Sequence, residues 1–234
     1  MEKQITFKNV NKTYGKKNAL ENMDLAIKNN AITGLFGDNG AGKTTLMKAL
    51  TTQIKIDSGE MSIENHVIHF NQPTNKAIGV LIEEPSLYPY LSGREHLNLF
   101  KKLEEQKNND LSIEWLIDEF KLEKFIDMPT KKYSMGMRQR LGIAMTLVTD
   151  PDIIVLDEPF NGLDPKSVKS LRDTFITLRN KGKTLLISSH LIREIAEIVD
   201  DVIIIKDGQL REAAPVEEFS ADHNDLETSI LELM

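Results

Sequence analysis

The run Gly37-Asp38-Asn39-Gly40-Ala41-Gly42-Lys43-Thr44-Thr45 fits the pattern G-x-x-x-x-G-K-[ST] of a phosphate-binding loop. Its glycines let the backbone curl so that several N–H groups point at one anion. Lys43 is spaced to reach the β- and γ-phosphates of a nucleoside triphosphate, and the Thr44 hydroxyl to ligate Mg²⁺. A second chemical signal lies far along the chain. The apolar run Ile153-Ile154-Val155-Leu156 ends in two adjacent carboxylates, Asp157 and Glu158. Asp157 suits Mg²⁺, directly or through a water. Glu158, pointing to the other side, suits the task of polarising an attacking water.

These groups need elements to aim them. Ala31-Ile32-Thr33-Gly34-Leu35-Phe36 reads as a buried strand entering the loop, and Thr44–Leu50 as the helix leaving it. The positive end of that helix dipole then falls on the phosphate. Residues 4–35 alternate polar and apolar and predict short antiparallel strands around a turn at Tyr14-Gly15-Lys16-Lys17. Ser58–Ile63 with Val67-Ile68 predicts a hairpin. From about Leu91 to Leu147 the pattern becomes helical: Leu97, Leu99, Phe100 and Leu103 make one face, Leu111–Phe120 and Leu141–Val148 others. Strand runs then return at 153–156, 184–187 and 202–205, with a helix around Ser167–Arg179. That alternation predicts a mainly parallel sheet covered on both faces. Glu104–Asp110 reads as an exposed loop, Asp207-Gly208 as a hairpin turn, and Asp225–Leu233 as a terminal helix packed on its own core.

The chain has 234 residues, 40% hydrophobic and 28% charged, ordinary for a globular protein with a sizeable core. Its net charge of −7, from 29 basic and 36 acidic side chains, argues against nucleic acid as a main partner. The absence of cysteine excludes a disulfide framework and a thiolate metal site. No apolar run approaches the roughly 20 residues that cross a bilayer. Met1-Glu2-Lys3-Gln4 runs into a strand pattern without the apolar core of a signal peptide.

Taken in order, Tyr14, Gly37–Thr45, Glu83, Tyr133–Arg140, Asp157–Asp164 and His190 resemble the ATP-binding-cassette (ABC) ATPases over nearly the whole chain. The resemblance implies an α/β fold with a P-loop NTPase core, an antiparallel β subdomain and a helical insertion. The RecA-like core and β subdomain would take residues 1–84 and 146–234, and the helical subdomain with the signature motif 85–145. It implies ATP and Mg²⁺ as cofactors. Tyr14 occupies the place of an aromatic that stacks on adenine; packing of the turn is its plainer role. His190 matches the switch histidine that contacts the γ-phosphate. His66, His69, His96 and His223 read as structural. Asn161-Gly162-Leu163-Asp164 matches the loop that communicates between two ATPase subunits.

Two places depart from the commonest family pattern. Tyr133-Ser134-Met135-Gly136-Met137 stands where Leu-Ser-Gly-Gly-Gln is usual. Ser134 can still cap the following helix and Gly136 still lets backbone approach phosphate. Met135 and Met137 put the ribose contacts in question. The wording resembles drug- and peptide-export ATPases, notably those of bacitracin resistance and lantibiotic immunity. Glu83 stands where Gln usually ligates Mg²⁺, with Glu84 as the neighbouring alternative. A carboxylate is a harder ligand than an amide and brings a charge near the γ-phosphate. Two unit charges 4 Å apart interact by roughly 4 kcal/mol at an effective dielectric of 20. Nucleotide affinity should then depend steeply on Mg²⁺.

In this family one chain's signature closes over another chain's ATP. The resemblance thus implies a head-to-tail dimer with a second ATPase subunit. It also implies a separate integral membrane permease, which would hold this chain at the cytoplasmic face of the membrane. The implied work is efflux of a peptide antibiotic or similar amphipathic substrate. An exporter for a drug, lipid or ion, a soluble ABC ATPase outside transport, and a regulatory nucleotide-binding module are the alternatives.

Overall fold

The computed structural model describes residues 3–102, 111–221 and 226–234. A long hairpin, β1 (Lys3–Tyr14) and β2 (Lys17–Lys28), precedes β3 (Ile32–Phe36), α1 (Lys43–Leu50), β4 (Ser58–Ile63), β5 (His66–Val67) and β6 (Ile78–Leu81). Three helices follow: α2 (Gly93–Lys102), α3 (Ile113–Glu119) and α4 (Met135–Thr146). Then come β7 (Ile153–Leu156), α5 (Pro165–Asn180), β8 (Thr184–Ser188), α6 (Ile192–Ile195), β9 (Asp201–Lys206), β10 (Gln209–Pro215), α7 (Val216–Ala221) and α8 (Leu226–Leu233).

The strands form two sheets, β2-β1-β4-β5 and β10-β9-β3-β8-β7-β6. The first is antiparallel throughout. In the second, β9, β3, β8, β7 and β6 run parallel and only β10 is antiparallel. Successive side chains of a strand point to opposite faces, so a strand covered on both sides must be apolar at every position. That is what the runs at 153–156, 184–187 and 202–205 record. Ile154, Leu156, Leu185, Ile187, Val202 and Ile204 share one buried cluster with residues of α4, α5 and α6. Ile153, Val155, Leu186, Ile203 and Ile205 face the opposite way, onto α1 and the β1–β2 hairpin. Helix α1 is pinned in this second core by Leu46, Met47, Ala49 and Leu50, all fully buried. Each Leu or Met buried this way contributes roughly 1.5–3 kcal/mol.

Because β3, β8 and β7 are parallel neighbours, the loops leaving them emerge at one edge of the sheet. Ligands of open α/β sheets bind at that edge. Gly37, Asp157 and Ser189 begin those loops.

The helical face expected from Leu97, Leu99 and Phe100 differs. Helix α2 buries only Gly93, His96 and Leu97, a narrow stripe facing α4 and the chain around Ile126 and Tyr133, and Leu99 and Phe100 are each 37% exposed. Phe100 lines a groove of about 330 Å³ with residues of β6, Pro85 and α4. Leu103, the loop expected over Glu104–Asp110, and Asp225 lie outside the described residues. Helix α8 does pack inward through Ile230, against α6 and α7. Of the histidines read as structural, His96 is buried and bonds the Tyr88 N–H and the Ser92 carbonyl. His66 and His69 are exposed surface residues, and His223 lies outside the described residues.

Candidate active site

The loop between β3 and α1 can follow its course only with glycine at its two ends. Gly37 has φ +151 and Gly42 φ +116, and a Cβ would strike the Ile205 carbonyl oxygen at the first and the Ala19 carbonyl oxygen at the second. Lys43 is buried, its ammonium donating to the Gly37 carbonyl at 2.6 Å and the Asp38 carbonyl at 3.2 Å. The cation thus sits inside the curl of the loop, where an anionic group would be received.

Thr44 Oγ1 donates to Asp157 Oδ2 at 2.9 Å, joining the first turn of α1 to the end of β7. The other Asp157 oxygen accepts from the buried Ser188 hydroxyl at the end of β8. That same Ser188 oxygen accepts the Glu158 N–H at 3.0 Å. Glu158 adopts φ +49, uncommon for a non-glycine residue, and this turns its carboxylate away from Asp157's partners. Glu158 Oε2 meets His190 Nδ1 at 2.7 Å and the His190 N–H at 3.2 Å. Gln139 of α4 donates to the Glu158 carbonyl at 3.3 Å. Beyond His190, burial pushes the Glu194 carboxyl above its ordinary range; Arg172 and His190 oppose that shift and Glu158 adds to it.

A cavity of about 270 Å³ lies between these groups, lined by Tyr14, Lys17, the loop residues Asp38, Asn39 and Gly40, Gly42 to Thr45, and Asp157 and Glu158. Tyr14 stands half-exposed at its rim, with the Lys12 ammonium 5.1 Å from its ring centroid. The hard oxygens of Thr44 and Asp157 suit Mg²⁺, which takes one or two protein oxygens and completes its shell from phosphate and water. Among the described residues no cluster of three His, Cys, Asp or Glu side chains could cage an ion alone. The donor set therefore fits an ion shared with a nucleotide.

Other expected site residues stand apart from this cavity. Ser134 caps α4, its hydroxyl accepting the Met137 N–H at 3.3 Å. Gly136 abuts the Gly162 carbonyl, so the start of α4 packs on the Asn161–Asp164 loop. Asp164 in turn caps α5 through the Lys166 and Ser167 N–H groups, each at 3.1 Å, and the Ser167 hydroxyl holds its carboxyl below the usual range. Glu83 is exposed and its Oε1 pairs with Lys48 Nζ at 2.5 Å, so the carboxylate expected at a metal is held by a cation here. Lys48 and Ser188 are missing from the sequence-based set, and Gln139 stood in the Tyr133–Arg140 element without a role of its own. Lys48 alone carried a legible sign, since it falls one helical turn after Thr44 and shares its face of α1.

The match to known proteins agrees with this geometry. Residues 20–161 match the family model described as ABC transporter. The chain is 42% identical over 209 residues to the uncharacterized ABC transporter ATP-binding protein YcbN of Bacillus subtilis (strain 168), covering 88% of this chain and 68% of that one. It is 34% identical to the lantibiotic transport ATP-binding protein SrtF of Streptococcus pyogenes, covering 88% of each. It is 36% identical to the bacitracin transport ATP-binding protein BcrA of Bacillus licheniformis, over 87% of this chain and 67% of that one. Among solved structures, the ATP-binding cassette MJ0796, a dimer in a post-hydrolysis state with ADP and Pi, superposes with a TM-score of 0.80 at 27% identity, over 91% of this chain and 98% of that one. With its curled loop, paired acids and matching relatives, this chain belongs to the ABC transporter family as an ATP-binding subunit, an ATPase.

Proposed function

We propose that this ATPase energises efflux of a peptide antibiotic or a similar amphipathic substrate through a separate membrane permease. It would work at the cytoplasmic face, held there by that permease. Support for the peptide substrate comes from the identity with the lantibiotic and bacitracin transport proteins and from the wording Tyr133–Arg140. The permease would dock where the loop after Glu83 meets the helical part, residues 85–145, beside the groove that Phe100 lines.

In this reading Lys43, Thr44 and Asp157 bind Mg-ATP, with the N–H groups of Gly37 to Thr45 around the phosphates and Tyr14 against the base. Bound Mg²⁺ neutralises phosphate charge. Glu83, on the loop after β6, would help hold that ion once released from Lys48. Glu158 takes a proton from the attacking water, and His190 orients it and senses the γ-phosphate. Ser134 and Gly136 complete the site of a second copy or a sister subunit, head to tail. One observation carries the mechanism: Glu158 and Asp157 hang from the same Ser188 hydroxyl yet point to different partners, one to His190 and one to Thr44. Metal-binding and base functions are thereby separated.

Phosphate release tests it. The wild-type chain should turn over Mg-ATP, and Glu158→Gln should lose at least a hundredfold in kcat with little change in ATP affinity. Equal turnover by the variant would remove Glu158 from the chemistry.

A further inference from the structure

Lys48 stands one turn beyond Thr44 on α1, and its ammonium reaches the Glu83 carboxylate at 2.5 Å. Glu83 is held at φ +68, a left-handed conformation that a side-chain-bearing residue rarely takes, so the loop end is fixed by more than its local preference. The other lysine of α1, Lys43, is turned inward onto the carbonyls of Gly37 and Asp38. Lys48 is therefore the group placed to answer the Glu83 charge. Its side chain is 29% exposed and that of Glu83 66%. A pair this wet is weak and exchanges readily with a stronger cation.

The geometry points to Lys48 as a positioning residue that sets the Mg²⁺ requirement of nucleotide binding by competing with the metal for the Glu83 carboxylate. This rests on the reading of Glu83 as a residue that faces the metal. With no divalent ion present, Lys48 cancels a charge that would otherwise repel the phosphates. When the ion arrives with nucleotide, the carboxylate must leave Lys48. A flexible four-carbon stem and a compact ammonium suit such an exchange better than a rigid fork would. Removing Lys48 frees the carboxylate in advance, so less Mg²⁺ is needed.

The test is the Mg²⁺ concentration giving half-maximal binding of a fluorescent, non-hydrolysable ATP analogue. Lys48→Met, which keeps the apolar stem, should lower it about three- to fivefold, the most that an exposed pair of up to about 1 kcal/mol can withhold. Lys48→Arg, which keeps the charge, should restore most of the wild-type value. In the Glu83→Gln background Lys48→Met should move it less than twofold, because no carboxylate remains to be freed. Thermal midpoints of all variants should stay together, which separates this effect from loss of fold. Equal shifts in both backgrounds, or no shift on Lys48→Met while Glu83→Gln alone does shift, would overturn the competition and leave Glu83 at the metal. An unchanged value for Glu83→Gln alone would instead overturn the reading of Glu83 itself.

Discussion

Ser188 carries no charge, yet its hydroxyl binds both acids that end β7: it donates to Asp157 and accepts from the Glu158 backbone. It is fully buried, so no water replaces it. Ser188→Ala should leave an Asp157 oxygen and the Glu158 N–H unpartnered, which costs about 1–3 kcal/mol. Urea denaturation should show that loss, and kcat should fall about tenfold as the acids drift. A variant with wild-type stability and kcat would make this hydroxyl incidental. The motif residues were legible because their chemistry is contiguous in the chain. Gly37–Thr45 and Asp157-Glu158 each declare themselves within a few positions. Ser188 was not legible, because only strand order brings the end of β8 beside the end of β7. The Glu83–Lys48 pair was hidden for a different reason. It depends on a left-handed residue that no hydrophobic pattern encodes.

Among elements, the start of α4 and the Asn161–Asp164 loop behave as one unit. Gly162 has φ +74, and a Cβ there would collide with the Met135 terminal methyl and come within 2.9 Å of its Cγ. Met135, a departure from the usual glycine of this motif, thus lies over the backbone of a loop that begins just after Glu158. Gly162→Ala should lower kcat by pushing the two apart. Adding Met135→Ala should restore the steric part, leaving only the left-handed strain of roughly 1–2 kcal/mol. Thermal melts and kcat of the single and double variants decide this; no recovery in the double variant would mean that backbone strain alone is at fault. The parallel strands β3, β7, β8 and β9 were readable, since burial on both faces leaves strong marks; β6, half-buried at the sheet edge, was not. The width of α2's buried stripe was not, because it depends on how many neighbours the helix meets.

Across the whole molecule, the two groups of residues proposed to meet phosphate are kept apart. The cavity holds Tyr14, the Gly37–Thr45 loop and the paired acids, and its lining includes neither Ser134 nor Gly136. Those two residues begin α4 instead. The parallel sheet carries the loop and the acids and the antiparallel sheet carries Tyr14, while the second group rides on a helix tied to the Glu158 loop through the Gln139–Glu158 bond and the Met135–Gly162 contact. An element bonded to Glu158, with a capped start packed on the Asn161–Asp164 loop, is suited to report one chain's state to another. The central claim is that the loop is half of a site, completed by Ser134 and Gly136 of a second chain. Its most direct test is the solution mass of the Glu158→Gln protein with Mg-ATP, measured by light scattering after sizing. The 26.5 kDa chain should double its mass with Mg-ATP and return to monomer without it. Adding Ser134→Arg should abolish the doubling while each monomer still binds ATP. A Glu158→Gln protein that binds Mg-ATP and stays monomeric, or a Ser134→Arg chain that still dimerises, would contradict the claim.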